Sequence, residues 1–274
     1  MKKNLTTVLL VLIFLIGLSV LLYPTVSDYV NTKNQSRAIA NYVESLAEID
    51  PVDYAGCIEE AQAYNESLAG NNARFSPSDE EIAAYHKYLG ADNSVIGYVE
   101  IPSIGVDLPM YLGTEESVLQ VGIGCMPGSS LPIGGSGTHA VLTGHRGLPS
   151  ARLLTDLDQV MEGDIFTVFT LNETLTYRVD QIRIVLPMEL SDLAIDPNQD
   201  YCTLVTCTPY GINSHRMLVR GHRIDNIVEE EVKTYRVTSD AIQIEPLLVA
   251  VFAAIPMLLV LGVFVMFGGG KKRR

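Results

Sequence analysis

Two uninterrupted apolar runs bracket the chain, and between them hydrophobic residues recur first at helical and then at strand spacing. Residues 5–23, LTTVLLVLIFLIGLSVLLY, and 246–267, PLLVAVFAAIPMLLVLGVFVMF, contain no charge. As a helix, each would cross a hydrocarbon core of roughly 30 Å. In SRAIANYVESLAEI, Ile39, Tyr42, Val43, Leu46 and Ile49 fall on one helical face. A second helical segment, 51–70, stops at Gly70. Ser78 and Glu81 then form a capping-box signature before a short helix that ends near Gly90. From Val95 the period changes. VIGYVEIP, VDLPMYLG, THAVLTG, DIFTVFT, LTYRVDQIRIVLP, YCTLVTCTP and RMLVRGHRI are short, rich in Val, Ile, Thr and Tyr, and separated by Gly, Pro and Asp. That texture predicts a mainly β domain, a barrel or a sandwich.

Charge orients the outline. Lys2 and Lys3 precede the first run, and Lys271, Lys272, Arg273 and Arg274 follow the second. Basic flanks favour the cytoplasmic side, so both termini are expected inside and the segment between the runs outside. A cleaved signal peptide is the competing reading of the first run. Its bulky exit, LSVLLYPTV, lacks a small-x-small pattern and favours an uncleaved anchor. The expected organisation is an anchor at 1–24, a helical region with a loop at 25–92, a β domain at 93–226, a linker at 227–245, a second membrane helix at 246–268 and a basic tail at 269–274. The formal net charge is −13, which argues against nucleic acid as a partner.

The four cysteines, Cys57, Cys125, Cys202 and Cys207, are too few for a disulfide framework and have no zinc-like spacing. Cys202 and Cys207 share a strand, where five steps put their Cα atoms roughly 16 Å apart and their side chains on opposite faces. They are therefore not expected to bridge, whereas a Cys57–Cys125 bridge stays open. Cys202 reads as a small buried hydrophobe. Cys207 ends its strand and is followed at once by the turn TPYG, which would hold it at a rim. A cysteine nucleophile needs an activated thiol, a proton donor for the leaving amine and a support for the oxyanion. Among the histidines, His86 reads as a helix-surface residue and His139 as structural, one strand length from the rim. His145 follows a strand in TGHRG, and His215 and His222 lie in the last strand. Arg216 and Arg220 share a strand face and Arg223 follows it. Arg216 returns nearest to Cys207 across the turn. Spacing alone leaves each of these between a structural and a chemical role.

TLVTCTPYGINSHRMLVRG together with THAVLTGHRGLPSARLLTDLD closely resembles the sortases, and within them the pilin-polymerising class C branch. The strand TLVTC, the nine-residue step from Cys207 to Arg216 and the histidine of TGHRG carry the resemblance, which extends over roughly residues 94–224. It implies a closed eight-stranded β-barrel with peripheral helices, an N-terminal helical lid region and a membrane helix at each end. It implies Cys207 as nucleophile, His145 as general acid and base, and Arg216 as the support of the scissile carbonyl and oxyanion, with no cofactor and no metal. Class C sortases carry an Asp-Pro-aromatic lid. Here NNARFSPSDEE stands in its place, with Phe75 as candidate plug but Ala73 and Arg74 where Asp and Pro are expected. A weakly held lid with few polar bonds is the expectation.

The implied activity is a membrane-bound cysteine transpeptidase on a Gram-positive-type cell surface. It would cleave a Leu-Pro-x-Thr-Gly-like sorting signal and join it to a pilin lysine. Its partners would be pilin subunits bearing that signal. Transfer to a cell-wall precursor is the alternative within the enzyme class, and a membrane-tethered scaffold is the alternative outside it.

Overall fold

The computed structural model describes residues 2–47, 51–71, 73–90, 94–226 and 256. The linker at 227–245 and the second apolar run lie outside the described residues, apart from Pro256. The chain divides into two units, residues 1–30 with 233–274, and residues 31–232. The first helix, α1 (Lys2–Leu46), carries an apolar stretch of mean hydropathy 2.6, long enough to cross a membrane and not covered by protein.

In the larger unit, eight strands close a barrel. They are β1 (Gly97–Ile101), β2 (Val106–Leu112), β3 (Ile123–Cys125), β4 (Thr138–Thr143), β5 (Ile165–Thr170), β6 (Glu173–Val185), β7 (Asp200–Thr208) and β8 (His215–Ile224). The order is β1-β2-β3-β4-β7-β8-β6-β5, and pairing of β5 with β1 completes the ring. Closure gives each of these strands a partner on both sides. The pattern of β5, IFTVFT, shows the logic: Phe166, Val168 and Thr170 are buried and the residues between them are half-exposed. Strands β4 and β7 depart from it, buried on both faces from Thr138 to Leu142 and from Cys202 to Thr206, because their inner faces line the core and their outer faces are also covered.

β3 escapes a reading by strand periodicity. It has three residues, one of them glycine, and is defined by a parallel pairing to β2 and two antiparallel partners on β4. The interior of the barrel is filled by side chains such as Val99, Met110, Ile123, Leu142, Phe166, Leu204 and Val219, all within 1% of full burial.

The helices strap the barrel from outside. Tyr42 of α1 donates its hydroxyl to the Ile96 carbonyl at 2.7 Å and accepts from the Leu171 amide at 2.6 Å. Gln35, two turns earlier, is buried and donates to the Val121 carbonyl. The buried stripe of α1 therefore runs through Gln35, Tyr42 and Leu46. Val43 points outward, about half exposed, and so departs from the expected face. In α2 (Pro51–Ser67), Asn65 exchanges two hydrogen bonds with the Leu131 backbone. α3 (Asp79–Tyr85) begins with the expected capping box, in which Ser78 and Glu81 bond each other's backbone amides. No disulfide joins the described cysteines.

Candidate active site

Cys207 is the penultimate residue of β7, and its direct partner across the antiparallel ladder is Arg216, the second residue of β8. Directly opposed residues point to the same face of a sheet, with Cβ atoms about 4.5–5.5 Å apart. Both side chains are half-buried. Cys202 lies on the other face of β7 and is fully enclosed in the core. Burial pushes its thiol well above the ordinary range, so it is an inert packing residue.

His145 reaches the same rim from the other side of β7. The parallel register of β4 with β7 ends at Thr143 and Val205. It continues one step further, because the Gly144 amide donates to the Val205 carbonyl and Thr206 donates its hydroxyl to the Gly144 carbonyl. Beyond His145, Arg146 donates to the Thr208 hydroxyl and pairs with Asp158. The two neighbours of His145 thus contact β7 on either side of Cys207, which sets His145 level with it. A Cβ at 144 would meet a methyl of the Leu154 side chain at 2.9 Å, so any larger residue there would have to displace that side chain. The His145 Nε2 lies 3.1 Å from a carboxylate oxygen of Glu116 on the short helix α4 (Glu116–Leu119).

The competing basic residues are engaged elsewhere. Arg220 forms two 3.0 Å bonds with the Asp180 carboxylate and lies over the Tyr201 ring. Arg223, expected beyond the strand, is inside β8 and bonds the Thr174 and Thr176 carbonyls. The Arg216 guanidinium bonds only backbone carbonyls, those of Asn213 and His215, and among the described residues it has no acidic partner. His139 is fully buried, between the Ala194 carbonyl at 2.8 Å and the Thr203 hydroxyl at 2.7 Å. Burial pushes its pKa down to about 4. His86 pairs with Glu115 at 3.0 Å.

The floor beside the rim is apolar. Val141, Val205 and Leu218, from β4, β7 and β8, join Leu193 in a separate buried cluster on the outer face of the barrel. Val205 is two residues before Cys207 and Leu218 two after Arg216, so floor and rim share one face. Phe75 packs on this floor together with Met126 and Val185.

The segment bearing Phe75 is tied down by Arg74. Arg74 donates to the Gly128 carbonyl at 2.9 Å and to the Leu193 carbonyl at 2.5 Å, and its guanidinium stacks on Phe75 at 4.2 Å. The expectation of few polar bonds is thereby corrected: an arginine holds carbonyls of the two loops that flank the floor. Gly128 is necessarily glycine, with φ +84 and no room for a Cβ, which would lie 1.8 Å from the Arg74 carbonyl oxygen. A cavity of about 430 Å³ lies beside α4, lined by His86, Tyr111, Glu115 and Val121 among others; it includes none of Cys207, His145 and Arg216.

The sortase domain family model matches residues 99–224. A crystal structure of sortase C1 from Streptococcus agalactiae is 50% identical, with a TM-score of 0.67, and the match covers 70% of this chain and 100% of that one. The chain belongs to the sortase family. Its solved neighbours, sortase C structures at 38–50% identity, assign it to the class C branch. A lid mutant of the Streptococcus agalactiae enzyme aligns similarly, at 44% identity, over 70% of this chain and 99% of that one, with a TM-score of 0.63. Among curated sequences, sortase A of Bacillus anthracis is 28% identical over 127 residues, 46% of this chain and 59% of that protein. This sortase spans 47–63% of the length of the curated relatives it matches.

Proposed function

We propose that the chain is a membrane-anchored cysteine transpeptidase in which Cys207, His145 and Arg216 do the chemistry. The observation that carries this reading is the register: Cys207 and Arg216 are direct cross-strand partners, and His145 stands level with Cys207 on the opposite neighbour. The Cys207 thiolate attacks the carbonyl carbon of the threonine in a Leu-Pro-x-Thr-Gly-like sorting signal. Arg216, with donors uncommitted to any carboxylate among the described residues, stabilises the oxyanion. The sulfur–carbon bond forms, the Thr–Gly carbon–nitrogen bond breaks, and the imidazolium of His145 protonates the leaving amine. An acceptor amine then attacks the thioester, gives its proton to His145 and releases the thiolate.

We assign the acceptor to a pilin lysine, because the sortase C neighbours match at 38–50% identity and the curated sortase A relatives at 28–29%. The apolar part of α1 anchors the enzyme and Lys2 and Lys3 stay inside, so that catalysis takes place at the outer cell surface. The apolar floor receives the sorting signal, and residues 74–75 occupy it in the resting enzyme. The test offers the purified full-length protein a sorting-signal peptide with either a pilin-type lysine peptide or a short glycine peptide as acceptor. Isopeptide product with lysine is expected; product with the glycine peptide alone would move the reading to cell-wall anchoring.

A further inference from the structure

We propose that Glu116 is a positioning residue for His145, fixing its ring so that Nε2–H points to the carboxylate and Nδ1 is left for the thiol and the transferring proton. The proposal rests on the transpeptidase reading for its consequence, though not for its geometry. Glu116 and His145 are 29 residues apart and share no strand; their contact exists because α4 packs beside β3, next to the end of β4. One carboxylate oxygen of Glu116 meets His145 Nε2 at 3.1 Å, and the other accepts from the Gln120 side chain at 3.0 Å. The carboxylate is therefore held on both sides. These two bonds, Gln120 first and His145 second, also keep its carboxyl below the usual carboxylate range.

The preceding residue fastens the same turn from another direction. Glu115 pairs with His86 just past the end of α3. The start of α4 is thus secured to a neighbouring element before Glu116 reaches the ring.

The chemistry gives this arrangement a use. A neutral imidazole carries its proton on one nitrogen only, and the partner of the other nitrogen decides which. A carboxylate on Nε2 selects the Nε2–H form and leaves the Nδ1 lone pair to receive a proton. In the sequence above, His145 must take a proton from the acceptor amine and deliver one to the leaving amine, both on the side of Cys207. A ring free to turn, or in the other tautomer, would offer a filled N–H where a base is needed. A nucleophile–base pair oriented by a third group is a recurring solution to this problem. The Glu116 side chain is two-thirds exposed, so it is not a packing residue whose loss would unfold the domain.

The test uses full-length protein in detergent micelles, labelled with ¹⁵N-histidine, with His145 assigned against His145→Gln. At about pH 8, above the ordinary imidazole range, the nitrogen shifts report the tautomer. The Nε2–H form is expected in the parent, and a mixture in Glu116→Ala. In peptide cleavage, Glu116→Ala should lower kcat roughly 5-fold with KM unchanged, the scale of an exposed charged pair. Glu116→Gln, which keeps an acceptor oxygen, should fall in between, and thermal melts of the three proteins should agree. The Nδ1–H form in the parent, an unchanged tautomer in Glu116→Ala, or a changed tautomer with unchanged kcat would each overturn the proposal. If the parent shows the Nε2–H form but cleaves no sorting peptide, the transpeptidase reading falls and the catalytic part of this one with it, while the tautomer still decides the pairing.

Discussion

Replacing Arg74 by alanine should open the groove beside Cys207. In the closed state the guanidinium donates to the Gly128 and Leu193 carbonyls at 2.9 and 2.5 Å and covers the Phe75 ring at 4.2 Å. A hydrogen bond from a charged donor is worth about 1.5–3 kcal/mol when well enclosed. Arg74 is only half-buried, and burial already depresses its pKa, so the lower end of that range is an upper bound for each bond. Both carbonyls regain water when the segment lifts. Together the bonds and the ring contact should favour closure by about 1–2 kcal/mol, a factor of roughly 5–30 in the open population. The assay is the rate of Cys207 modification by a thiol reagent at low concentration, in a Cys57→Ser background, since Cys125 and Cys202 are enclosed in the core. When opening is fast relative to labelling, the rate follows the open population. Arg74→Ala should therefore label 5- to 30-fold faster. Gly128→Ala, whose added Cβ would collide with the Arg74 carbonyl, should also accelerate labelling. Labelling of Arg74→Ala within twofold of its parent would show that Arg74 does not hold the segment closed and would leave closure to Phe75 and its apolar floor.

Arg216→Lys should lose about 10²- to 10³-fold in kcat despite keeping its charge, because an ammonium cannot reproduce the planar fork that meets a developing oxyanion; near-normal turnover in the peptide assay would confine Arg216 to a charge effect. The pH dependence of stability should carry a signature of His139. Burial lowers its pKa from 6.5 to about 4, so between these values the unfolded chain binds a proton that the folded chain refuses. The contribution is complete above about pH 6.5 and is lost as pH falls toward 4, amounting to about 3 kcal/mol. Denaturant titrations of parent and His139→Gln should diverge in slope across that window and run parallel above it; parallel slopes throughout would contradict the assignment.

The parts of this molecule that could be read from the chain are those set by short-range rules. The alternation in IFTVFT and the parity that separates Cys202 from Cys207 are consequences of strand geometry, and the Ser78–Glu81 box is a local exchange of hydrogen bonds. Three features resisted. β3 is a strand by virtue of its neighbours, too short and too glycine-rich to have a period of its own. Arg74 is held by backbone carbonyls 54 and 119 residues away, and a carbonyl has no residue identity to read. Glu116 meets His145 only after the barrel closes, and nothing in TEESVLQ marks it among neighbouring acids. On α1 the apolar periodicity included Val43 and overlooked Gln35, whose burial is permitted by one long-range bond to the Val121 carbonyl.

The most direct measurement is the intact mass of the full-length protein after incubation with a sorting-signal peptide and no acceptor amine, followed by peptide mapping. An adduct equal to the fragment ending in threonine, sensitive to hydroxylamine and located on Cys207, is expected. It should be present in Cys202→Ala and absent in Cys207→Ala. An adduct that persists in Cys207→Ala, or cleavage of the peptide with no covalent intermediate on Cys207, would contradict the role of Cys207 as nucleophile.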